Sequence, residues 1–423
     1  MRFDAPLRIL RDRLVGGSGK FVLEARRHVT LPAVQAADLY IHIPFCRSLC
    51  PYCPYNRVLY DASLSDRYTG ALLCEIDSFR EALGPIDIGS VYVGGGTPTT
   101  MLAGLGSVLE RIRSRFAYQG SIAVESIPSD LDRDTLRALV ELGVSQLSIG
   151  VQSFDDRYLK LIGRPYRSGG LDRVIRDALA AGFETVNVDL MFALPGQATA
   201  EALADLDRAI DLGVDQVTMY PLFTFPYSAA GRHLHLRGVK FPSFRSRRVM
   251  YRALHDRALS RGLRRSSVWG FNRDEGAPFS SVTRERFIGL GAGSATYLPG
   301  IFYFNTFSVP EYVRVSSSGE LPVALAMRMS VLMEAWYWLY WRLYETAIQK
   351  QPLDLHFHDN GDVRRMLWLA RALGFATDEG DAWRLTERGA FWIHLLQNHA
   401  VLNYIDSVWT AAMRAPWPGR IRL

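Results

Sequence analysis

From residue 38 to about residue 271, short β-rich runs alternate with amphipathic helical stretches, and this alternation constrains the fold more than any other feature. The helical patterns Leu136–Leu142 and Ala202–Ile210 are each followed by a glycine, Gly143 and Gly213. Repeated strand, helix, strand spacing is typical of parallel β/α units. The candidate strands are Leu39–Ile43, Ser90–Val93, Ser121–Glu125, Gln146–Ile149, Thr185–Met191 and Gln216–Pro221. Because six units are too few for a closed eightfold barrel, the sequence predicts an α/β fold with an open-sided, partial (β/α)6 barrel.

Three cysteines, Cys46, Cys50 and Cys53, follow the first candidate strand in a C-x3-C-x2-C loop. Three thiolates on one short loop suit a cubane [4Fe-4S] cluster, in which each iron normally takes a cysteine ligand. One iron then lacks a protein ligand, and a metal centre needs such an open position to bind and activate a small molecule. The bare spacing also fits a zinc loop or three unconnected thiols.

The other unusual residues follow the next candidate strands. The second strand ends in Gly94–Pro98, the third in Glu125–Pro128, the fourth in Gly150–Ser153 and the fifth in Asp189–Gly196. In β/α barrels, catalytic groups cluster at the C-terminal ends of the strands. Because independent parts of the sequence point to the same rim, we expect one functional site there, beside the cysteine loop.

Length and cysteine usage indicate an intracellular enzyme. At 423 residues with near-neutral mean hydropathy, the chain is long enough for two or three domains and a large core. Three of its four cysteines share one loop, so a disulfide framework is not expected and a reducing compartment is favoured. The fourth, Cys74, lies in a helical pattern and is predicted to be a buried structural thiol. Met1–Pro6 has no apolar signal core, so we expect a cytoplasmic location.

Charge says little about partners. The formal net charge is +6, but only four of the 49 basic residues are lysine, a skew that codon bias in a GC-rich genome explains more simply than phosphate contacts. No arginine block with interleaved aromatic residues occurs, so a nucleic-acid partner is not indicated. No uninterrupted apolar run reaches membrane-spanning length, so no membrane partner is expected. An anionic substrate remains open.

The sequence divides into four segments by composition. They are an N-terminal extension (1–37), the partial barrel (38–271), a glycine-rich connection (272–328) and a mostly helical cap domain (329–423). In the cap domain, Met333, Tyr337, Trp341 and Tyr344 recur at helical spacing. A core-facing stripe is the favoured interpretation, and an aromatic platform for the substrate is the alternative.

The run from Tyr40 to Cys53 resembles the cluster loop of the radical S-adenosylmethionine (SAM) enzymes. Its Tyr-x-His-Ile-Pro-Phe start is similar to that of the branch typified by oxygen-independent coproporphyrinogen III oxidase. The resemblance implies that the open iron binds SAM through its amino and carboxylate groups, and that an electron from the cluster yields a 5'-deoxyadenosyl radical. It also implies a flavodoxin- or ferredoxin-type electron donor. A winged-helix-like C-terminal domain, with Ala382–Thr386 as a strand, is expected from the same family.

The resemblance also assigns polar SAM contacts by local context. Glycine lets backbone carbonyls approach the SAM amino group, arginine forks onto a carboxylate, and acids or amides suit ribose hydroxyls. Each residue also has an ordinary structural explanation, as a tight turn, a strand-end acid, a surface arginine or a core tyrosine. The predicted cofactor contacts are Tyr40, Tyr52, Gly94, Gly95, Gly96, Thr97, Glu125, Gln152, Arg164 and Asp189.

Histidine gives weaker signals. His42 alternates with Tyr40 on the first strand, and structural hydrogen bonding is at least as reasonable for it as proton transfer. The pairs His233/His235 and His356/His358 have spacing that metal ligands use. Neither pair has a suitable third ligand nearby in sequence, so we do not expect them to bind metal.

Two departures from the coproporphyrinogen oxidase pattern bear on the reaction. That family has a further cysteine two residues after the third ligand, where this chain has Tyr55, and an N-terminal arginine- and tyrosine-rich segment that residues 1–37 lack. The departures favour a relative such as the class C radical SAM methyltransferases and cyclopropanases, which are thought to hold two SAM molecules. We therefore expect transfer of a SAM-derived carbon to an sp2 carbon of a planar unsaturated substrate, with Gly289–Gly293 beside a second SAM.

Other functions stay open on the sequence alone. Coproporphyrinogen oxidation and anaerobic haem processing are enzyme alternatives within the same family. A haem chaperone that binds haem without cleaving SAM is the alternative that is not an enzyme. The sequence gives little support to the haem chaperone alternative. No histidine lies in a context typical of an axial haem ligand, and no Cys-Pro pair lies outside the cysteine loop.

Overall fold

One continuous sheet organises the part of the chain that the structure, a computed structural model, describes. The described residues are 21–26, 28–222, 241–273, 279–280, 285–357 and 361–423. Within them, the sheet has fourteen strands, and a three-stranded and a two-stranded sheet lie apart from it.

The strands carry the labels used below. They are β1 (Val22–Ala25), β2 (Ala36–Ile43), β3 (Phe45–Cys46), β4 (Val58–Leu59), β5 (Asp87–Gly95), β6 (Ala117–Ser126), β7 (Gln146–Gln152), β8 (Thr185–Phe192), β9 (Gln216–Pro221), β10 (Arg264–Arg265), β11 (Gly270–Asn272), β12 (Phe287–Leu290), β13 (Ala295–Leu298), β14 (Ile301–Asn305), β15 (Val323–Arg328), β16 (Ala347–Gln349), β17 (Ala376–Asp378), β18 (Ala382–Leu385) and β19 (Ile421–Arg422).

The α-helices are numbered in the same way. They are α1 (Ala62–Leu83), α2 (Leu102–Arg115), α3 (Arg133–Glu141), α4 (Asp156–Leu161), α5 (Leu171–Ala180), α6 (Thr199–Leu212), α7 (Phe244–Ser260), α8 (Val309–Ser316), α9 (Val331–Tyr344), α10 (Lys350–Phe357), α11 (Gly361–Ala372) and α12 (Glu387–Arg414).

The six predicted strands form a continuous run of parallel strands in the sheet. They correspond to β2 and to β5 through β9, which pair in that order, each parallel to the next. On the far side of β9, β11 and β10 pair antiparallel and end this edge. The predicted α/β class with a partial β/α barrel is therefore confirmed.

Side-chain alternation separates the helix-covered face from the barrel interior. On β2, Leu39, Ile41 and Ile43 are buried in the main apolar core, whereas Tyr40 and His42 point to the opposite face. Tyr40 pairs in register with Tyr92 of β5, and their rings stack with centroids 6.1 Å apart. The barrel interior is thus lined by polar and aromatic side chains, while the outer layer supplies the apolar core.

The predicted helix terminators occur as expected. Gly143 follows α3 with φ 79°, and Gly213 ends α6 with φ 93°. At the start of α3, Asp132 accepts a hydrogen bond from the Thr135 N–H, which satisfies one of the free amides of the first turn. These ends fix where each helix returns the chain to the next strand.

In the described part of the predicted glycine-rich connection (272–328), the chain adds strands to the main sheet. β12 pairs parallel to β2 on the side opposite β5, and β13, β14 and β15 continue the sheet antiparallel. The physical reason is the apolar and aromatic content of runs such as Ile301–Asn305, which favours strands over loops. The predicted N-terminal extension also contributes structure, because β1 pairs with β15 and β19, and β2 begins at Ala36.

The C-terminal segment contains helices α9 to α12 around the small antiparallel sheet of β16, β18 and β17. This arrangement agrees with the predicted mostly helical, winged-helix-like domain. Arg248 of α7 forms a two-pronged ion pair with Glu387, and the Trp269 ring packs edge-on against His394. The domain therefore packs against α7 and against Trp269, which directly precedes β11.

The predicted aromatic stripe on α9 is only partly a core stripe. Met333 is buried, and Tyr337 packs against Tyr297 with ring centroids 4.4 Å apart. Tyr337, Trp341 and Tyr344 stay half-buried, because the opposite face of α9 also packs, against α10 and α11. Among the described residues, none of the helices combines the length and apolarity needed to cross a bilayer.

Candidate cofactor site at the barrel rim

The cysteine loop is pinned at both ends by backbone hydrogen bonds. At its start, the Gly96 N–H donates to the Ile43 carbonyl at 2.7 Å, and the Thr97 N–H donates to the Phe45 carbonyl at 2.8 Å. At its end, the short strands β3 and β4 pair in parallel. The loop is thus held above the C-terminal ends of β2 and β5, where the sequence predicts the site.

The three thiols have chemistry that fits an iron–sulfur cluster. Cys46 and Cys50 are buried, and Cys53 is half-buried. Burial raises the pKa of Cys46 to about 11 and also raises that of Cys53, although the Thr97 hydroxyl, 3.6 Å from the Cys46 sulfur, opposes the shift. Thiolates here therefore need a nearby cation, which a cluster iron would supply. Among the described residues, no three acidic, histidine or cysteine side chains converge on a single metal position, so the fit rests on donor chemistry.

The glycine motif at the end of β5 leaves no room for side chains. A Cβ on Gly95, whose φ is 116°, would lie 2.7 Å from the His42 ring, and one on Gly96 would lie 2.6 Å from the Phe45 carbonyl oxygen. A Cβ on Gly94 would lie 3.0 Å from the Glu125 carboxyl carbon. These glycines are required by the packing of the cysteine loop, and their predicted contact with the SAM amino group stays a prediction.

Glu125 lies inside the barrel at the end of β6. Its Oε1 accepts a short hydrogen bond from the Tyr92 hydroxyl, and its Oε2 lies 3.4 Å from the Gly95 N–H. Burial raises the pKa of Glu125 to about 7, opposed by the Tyr92 hydrogen bond and reinforced by the charge of Asp189. Glu125 therefore has acceptor capacity left for a ligand hydroxyl.

Asp189 occupies the matching position on β8. It accepts hydrogen bonds from the Asn187 side chain at 2.8 Å and the Ser148 hydroxyl at 3.1 Å. Burial raises its pKa to about 6, against the effect of these two donors. Two carboxyl groups with raised pKa values thus face the same interior, as functional sites often arrange them.

Arg164 brings a guanidinium to the cysteine loop. Its Nη1 lies 3.7 Å from the Cys50 sulfur, and the guanidinium lies over the rings of Tyr52 and Tyr166 at 5.3 and 5.6 Å. Its Nε is buried and has no hydrogen-bond partner in the part of the chain that the structure describes. An unpaired guanidinium edge beside a cluster thiol fits the carboxylate of a SAM molecule.

Gln152 ends β7 in a backbone conformation that is unusual for a residue with a side chain, with φ 72°. Its Oε1 accepts a hydrogen bond from the Tyr220 hydroxyl at 2.7 Å. Such backbone strain is often found at functional sites, where the surrounding structure maintains it. Here it directs the Gln152 amide toward the barrel interior near Arg164.

Tyr40 and His42 form a hydrogen-bonded chain leading out of the barrel. The His42 Nε2 lies 2.7 Å from the Asn56 carbonyl oxygen, so this nitrogen must carry the proton. The Nδ1 then accepts from the Tyr40 hydroxyl at 2.9 Å. Burial lowers the pKa of His42 to about 4, so the ring is neutral near pH 7, and a structural role is favoured over proton transfer.

The structure thus brings all the predicted site residues to one rim, although their roles toward SAM stay predictions. Several further polar side chains there were missed. Tyr220 is the last residue but one of the sixth candidate strand, and Tyr92 lies two residues before Gly94, so the rule that strand ends carry function could have found both. Tyr166 and Ser148 carry no comparable signal in the sequence. Tyr55, which replaces the family's additional cysteine, is 56% exposed in the barrel mouth.

The Gly289–Gly293 run does not form an open cofactor loop. A Cβ on Gly291 would lie 2.5 Å from the His42 carbonyl oxygen, and one on Gly293 would lie 2.9 Å from the Asn56 side chain. The Gly291 N–H donates to Glu75. Because protein atoms already fill these positions, the expectation that this run suits a second SAM has no support in its geometry.

Two other predictions concern the fourth cysteine and the two histidine pairs. Cys74 is half-buried and not fully buried as predicted, because it lies beside the apolar face of α1 and not on it. His356 stacks on Trp338 with ring centroids 4.5 Å apart. His233, His235 and His358 lie outside the described residues.

Comparison with known proteins identifies the class to which this site belongs. Residues 40–209 match the radical SAM superfamily, over the span that contains the cysteine loop and all the predicted SAM contacts. The barrel part of the chain is thus a radical SAM domain, and the relatives and the structure compared below support the HemN-like branch. A radical SAM domain implies a [4Fe-4S] cluster and SAM as cofactors. The binding of two SAM molecules stays a prediction.

Relatives extend the similarity beyond the barrel. The chain is 29% identical over 290 residues to heme chaperone HemW of Bacillus subtilis (strain 168), covering 67% of this chain and 76% of that protein. It is 27% identical over 369 residues to anaerobilin synthase of Escherichia coli O157:H7, covering 84% and 81%. The structure of coproporphyrinogen III oxidase (HemN) from Escherichia coli matches with a TM-score of 0.74 at 20% identity, covering 90% of this chain and 92% of that one. This last match shows that the fold is shared over nearly the whole chain.

Proposed function

We propose that this chain is a radical SAM enzyme that processes haem under anaerobic conditions. The alignment with anaerobilin synthase supports this, because it spans most of both chains. The other similar proteins reported above are named for haem delivery or for coproporphyrinogen oxidation. The comparisons therefore favour tetrapyrrole chemistry over our expectation of a methyltransferase or cyclopropanase.

The observation that carries radical SAM chemistry is the placement of Arg164. Its unpaired Nε and the nearby Cys50 thiol offer a cation and a cluster ligand side by side. When bound, the cluster would supply the electron that cleaves SAM. Cys46, Cys50 and Cys53 would hold the cluster, Arg164 would hold the SAM carboxylate, and Glu125 and Asp189 would accept hydrogen bonds from ribose hydroxyls.

We propose that the barrel mouth receives the tetrapyrrole. Tyr55 is exposed there, so its hydroxyl is open to a ligand. A tyrosine hydroxyl is protonated near neutral pH and can donate a hydrogen bond to an anionic substrate. We further propose a flavodoxin- or ferredoxin-type electron donor and a cytoplasmic location.

The test uses the full chain reconstituted anaerobically with iron and sulfide. Incubation with methyl-labelled SAM, a reductant and either haem or coproporphyrinogen III is followed by mass spectrometry of the pigments and of 5'-deoxyadenosine. Haem loss that depends on 5'-deoxyadenosine formation supports the proposal. Label in the tetrapyrrole product would additionally show carbon transfer from SAM.

Other results would assign a different function. Decarboxylation of coproporphyrinogen without any change in haem would make the chain an oxidase. Stoichiometric haem binding, seen in the absorption spectrum, without 5'-deoxyadenosine would indicate the haem chaperone alternative. 5'-deoxyadenosine formation with neither tetrapyrrole consumed would overturn the proposed substrate class while leaving the radical chemistry intact.

A further inference from the structure

Asn56 links the cysteine loop to a part of the chain more than 230 residues away. It lies three residues after Cys53, and its side-chain Nδ2 donates to the carbonyl oxygens of Ala292 at 3.1 Å and Phe307 at 2.9 Å. Ala292 lies in the turn between β12 and β13, and Phe307 follows β14. One amide group thus uses both of its hydrogens to tie the loop exit to the sheet extension.

The backbone of Asn56 makes the other half of the connection. Its carbonyl oxygen accepts the Nε2 proton of His42 at 2.7 Å, which leaves the His42 Nδ1 as the acceptor for the Tyr40 hydroxyl at 2.9 Å. The orientation of the Tyr40 hydroxyl inside the barrel therefore depends on where the Asn56 carbonyl lies. Asn56 thus connects three parts of the molecule, which are the cysteine loop, strand β2 and the β12–β13 turn.

Two glycines leave the space that this arrangement needs. A Cβ on Gly293 would lie 2.9 Å from the Asn56 Nδ2, and a Cβ on Gly95 would lie 2.7 Å from the His42 ring. Both glycines have positive φ, so a larger residue would also strain the backbone. The positions of Asn56 and His42 therefore each depend on a neighbouring glycine.

We propose that Asn56 is a positioning residue for the cofactors. It fixes the exit of the cluster loop against the β12–β13 turn and, through His42, sets the direction of the Tyr40 hydroxyl. Outer hydrogen-bond partners of metal ligands typically change metal affinity or activity by roughly 10- to 100-fold when mutated. Loss of the Asn56 amide is expected to loosen the loop that carries the cluster ligands, and so to weaken both cluster retention and SAM binding.

The test compares Asn56→Ala and Asn56→Asp with a matched control, Asn305→Ala. Asn56→Asp keeps the shape but turns the two donated hydrogen bonds into contacts between oxygens. Asn305 donates to the Gly291 carbonyl at 3.1 Å and to Glu75 at 2.7 Å, so it supports the same turn without touching the cluster loop. The readouts are the rate of iron loss to a chelator, the SAM dissociation constant from the electron paramagnetic resonance spectrum of the reduced cluster, and the Tm. None of them needs the tetrapyrrole substrate.

The expected result is a roughly 10- to 100-fold weaker SAM affinity and faster iron loss in both Asn56 variants. Asn305→Ala is expected to lower the Tm to a similar extent while leaving the SAM dissociation constant within about twofold, since Asn305 does not contact the cluster loop. If Asn56→Asp does not fold, Asn56→Ser, which fits the same space and keeps one donor, replaces it. Equal SAM affinities in the Asn56 and Asn305 variants would overturn the proposal, because the turn alone would then account for the effect.

Discussion

The barrel interior and the layer behind β2 each bury a glutamate whose pKa is raised to about 7, but the two carboxyl groups are satisfied very differently. Behind β2, Glu75 accepts from the Gly291 N–H at 2.8 Å, the Asn305 side chain at 2.7 Å and the Tyr312 hydroxyl at 2.6 Å. Inside the barrel, the partners of Glu125 among the described residues are the Tyr92 hydroxyl and, at a longer distance, the Gly95 N–H. In both, burial is the largest cause of the shift.

This difference shows that a raised pKa does not by itself mark a functional carboxylate. Glu75 uses its acceptor positions to hold the β12–β13 turn and α8 against α1, so it has little capacity for a ligand. Glu125 faces the open interior beside Asp189 and keeps acceptor positions free. What distinguishes the candidate site carboxyl Glu125 from the structural carboxyl Glu75 is its free hydrogen-bond acceptor positions, more than its pKa.

The largest expected effect comes from the cluster loop itself. In Cys53→Ala, one of three thiolate ligands is missing, so iron content should fall well below the roughly four irons per chain of a cubane and SAM cleavage should drop to background. Iron analysis and 5'-deoxyadenosine formation after anaerobic reconstitution measure both. Cys74→Ala, a half-buried position on α1, is the matched control and should retain both. Full iron content in Cys53→Ala would contradict the ligand assignment.

The next largest effect should fall on stability, behind β2. At pH 5 the Glu75 carboxyl is protonated and has one donor hydrogen, whereas the amide of Glu75→Gln has two facing the same three donors, which should lower the free energy of unfolding by about 1–3 kcal/mol. SAM affinity should not change, because Glu75 lies outside the barrel interior. Denaturant unfolding at a series of pH values measures the first effect, and SAM titration of the reduced cluster measures the second.

The pH dependence of this variant follows from the direction of the shift. The folded-state pKa of Glu75 is raised from 4.5 to about 7, so its contribution to stability is fully present below pH 4.5 and is lost as the pH rises through about 7. Glutamine has no such dependence. The stability gap between wild type and Glu75→Gln should therefore narrow between pH 5 and pH 8, and a gap that widens over this range would show that the direction is wrong.

Most of the barrel could be predicted from the sequence because its signals are local. Alternating β-rich and helical runs, helix-ending glycines such as Gly143, and polar residues after each strand are readable without tertiary contacts. The extension β12–β15 could not be predicted in this way. Its strands become a sheet by pairing with β2 across the chain, and Gly289–Gly293 resembles a loop unless its packing against Asn56 and His42 is known.

The candidate site divides along the same line. The cysteines, Glu125 and Asp189 stand at strand ends in recognisable motifs. The hydrogen-bond partners that orient them come from positions without a motif, as Tyr92 does for Glu125 and Ser148 for Asp189. Such partners depend on which strands become neighbours, and that is fixed only by the folded sheet.

A smaller effect is expected from Arg164→Lys at the rim. Lysine keeps the charge but cannot fork onto a carboxylate or stack over Tyr52 and Tyr166, so the SAM dissociation constant should rise about 10- to 100-fold. Iron content should stay near that of wild type, since the cysteines are unchanged. SAM titration of the reduced cluster by electron paramagnetic resonance tests this, and wild-type affinity in the variant would exclude a carboxylate contact for Arg164.

The smallest effects are expected from two tyrosines that donate equivalent hydrogen bonds, one to Glu125 and one to Glu75. They provide the sharpest test of the difference between these two glutamates. Tyr92→Phe removes the donor to Glu125, and Tyr312→Phe removes the donor to Glu75. Loss of a single hydrogen bond to a charged group is worth about 1.5 kcal/mol, or roughly tenfold in an equilibrium constant. In Tyr92→Phe this loss should appear as a roughly tenfold weaker SAM affinity with little change in Tm.

In Tyr312→Phe the same loss should appear almost entirely in the free energy of unfolding, with SAM affinity unchanged. SAM titration and denaturant unfolding, applied to both variants side by side, separate the two outcomes. Were both variants to lose stability equally and keep wild-type SAM affinity, Glu125 would be a second structural carboxylate like Glu75. The free acceptor positions of Glu125 would then serve water and not the cofactor, and the division between site and scaffold would have to be drawn elsewhere on the rim.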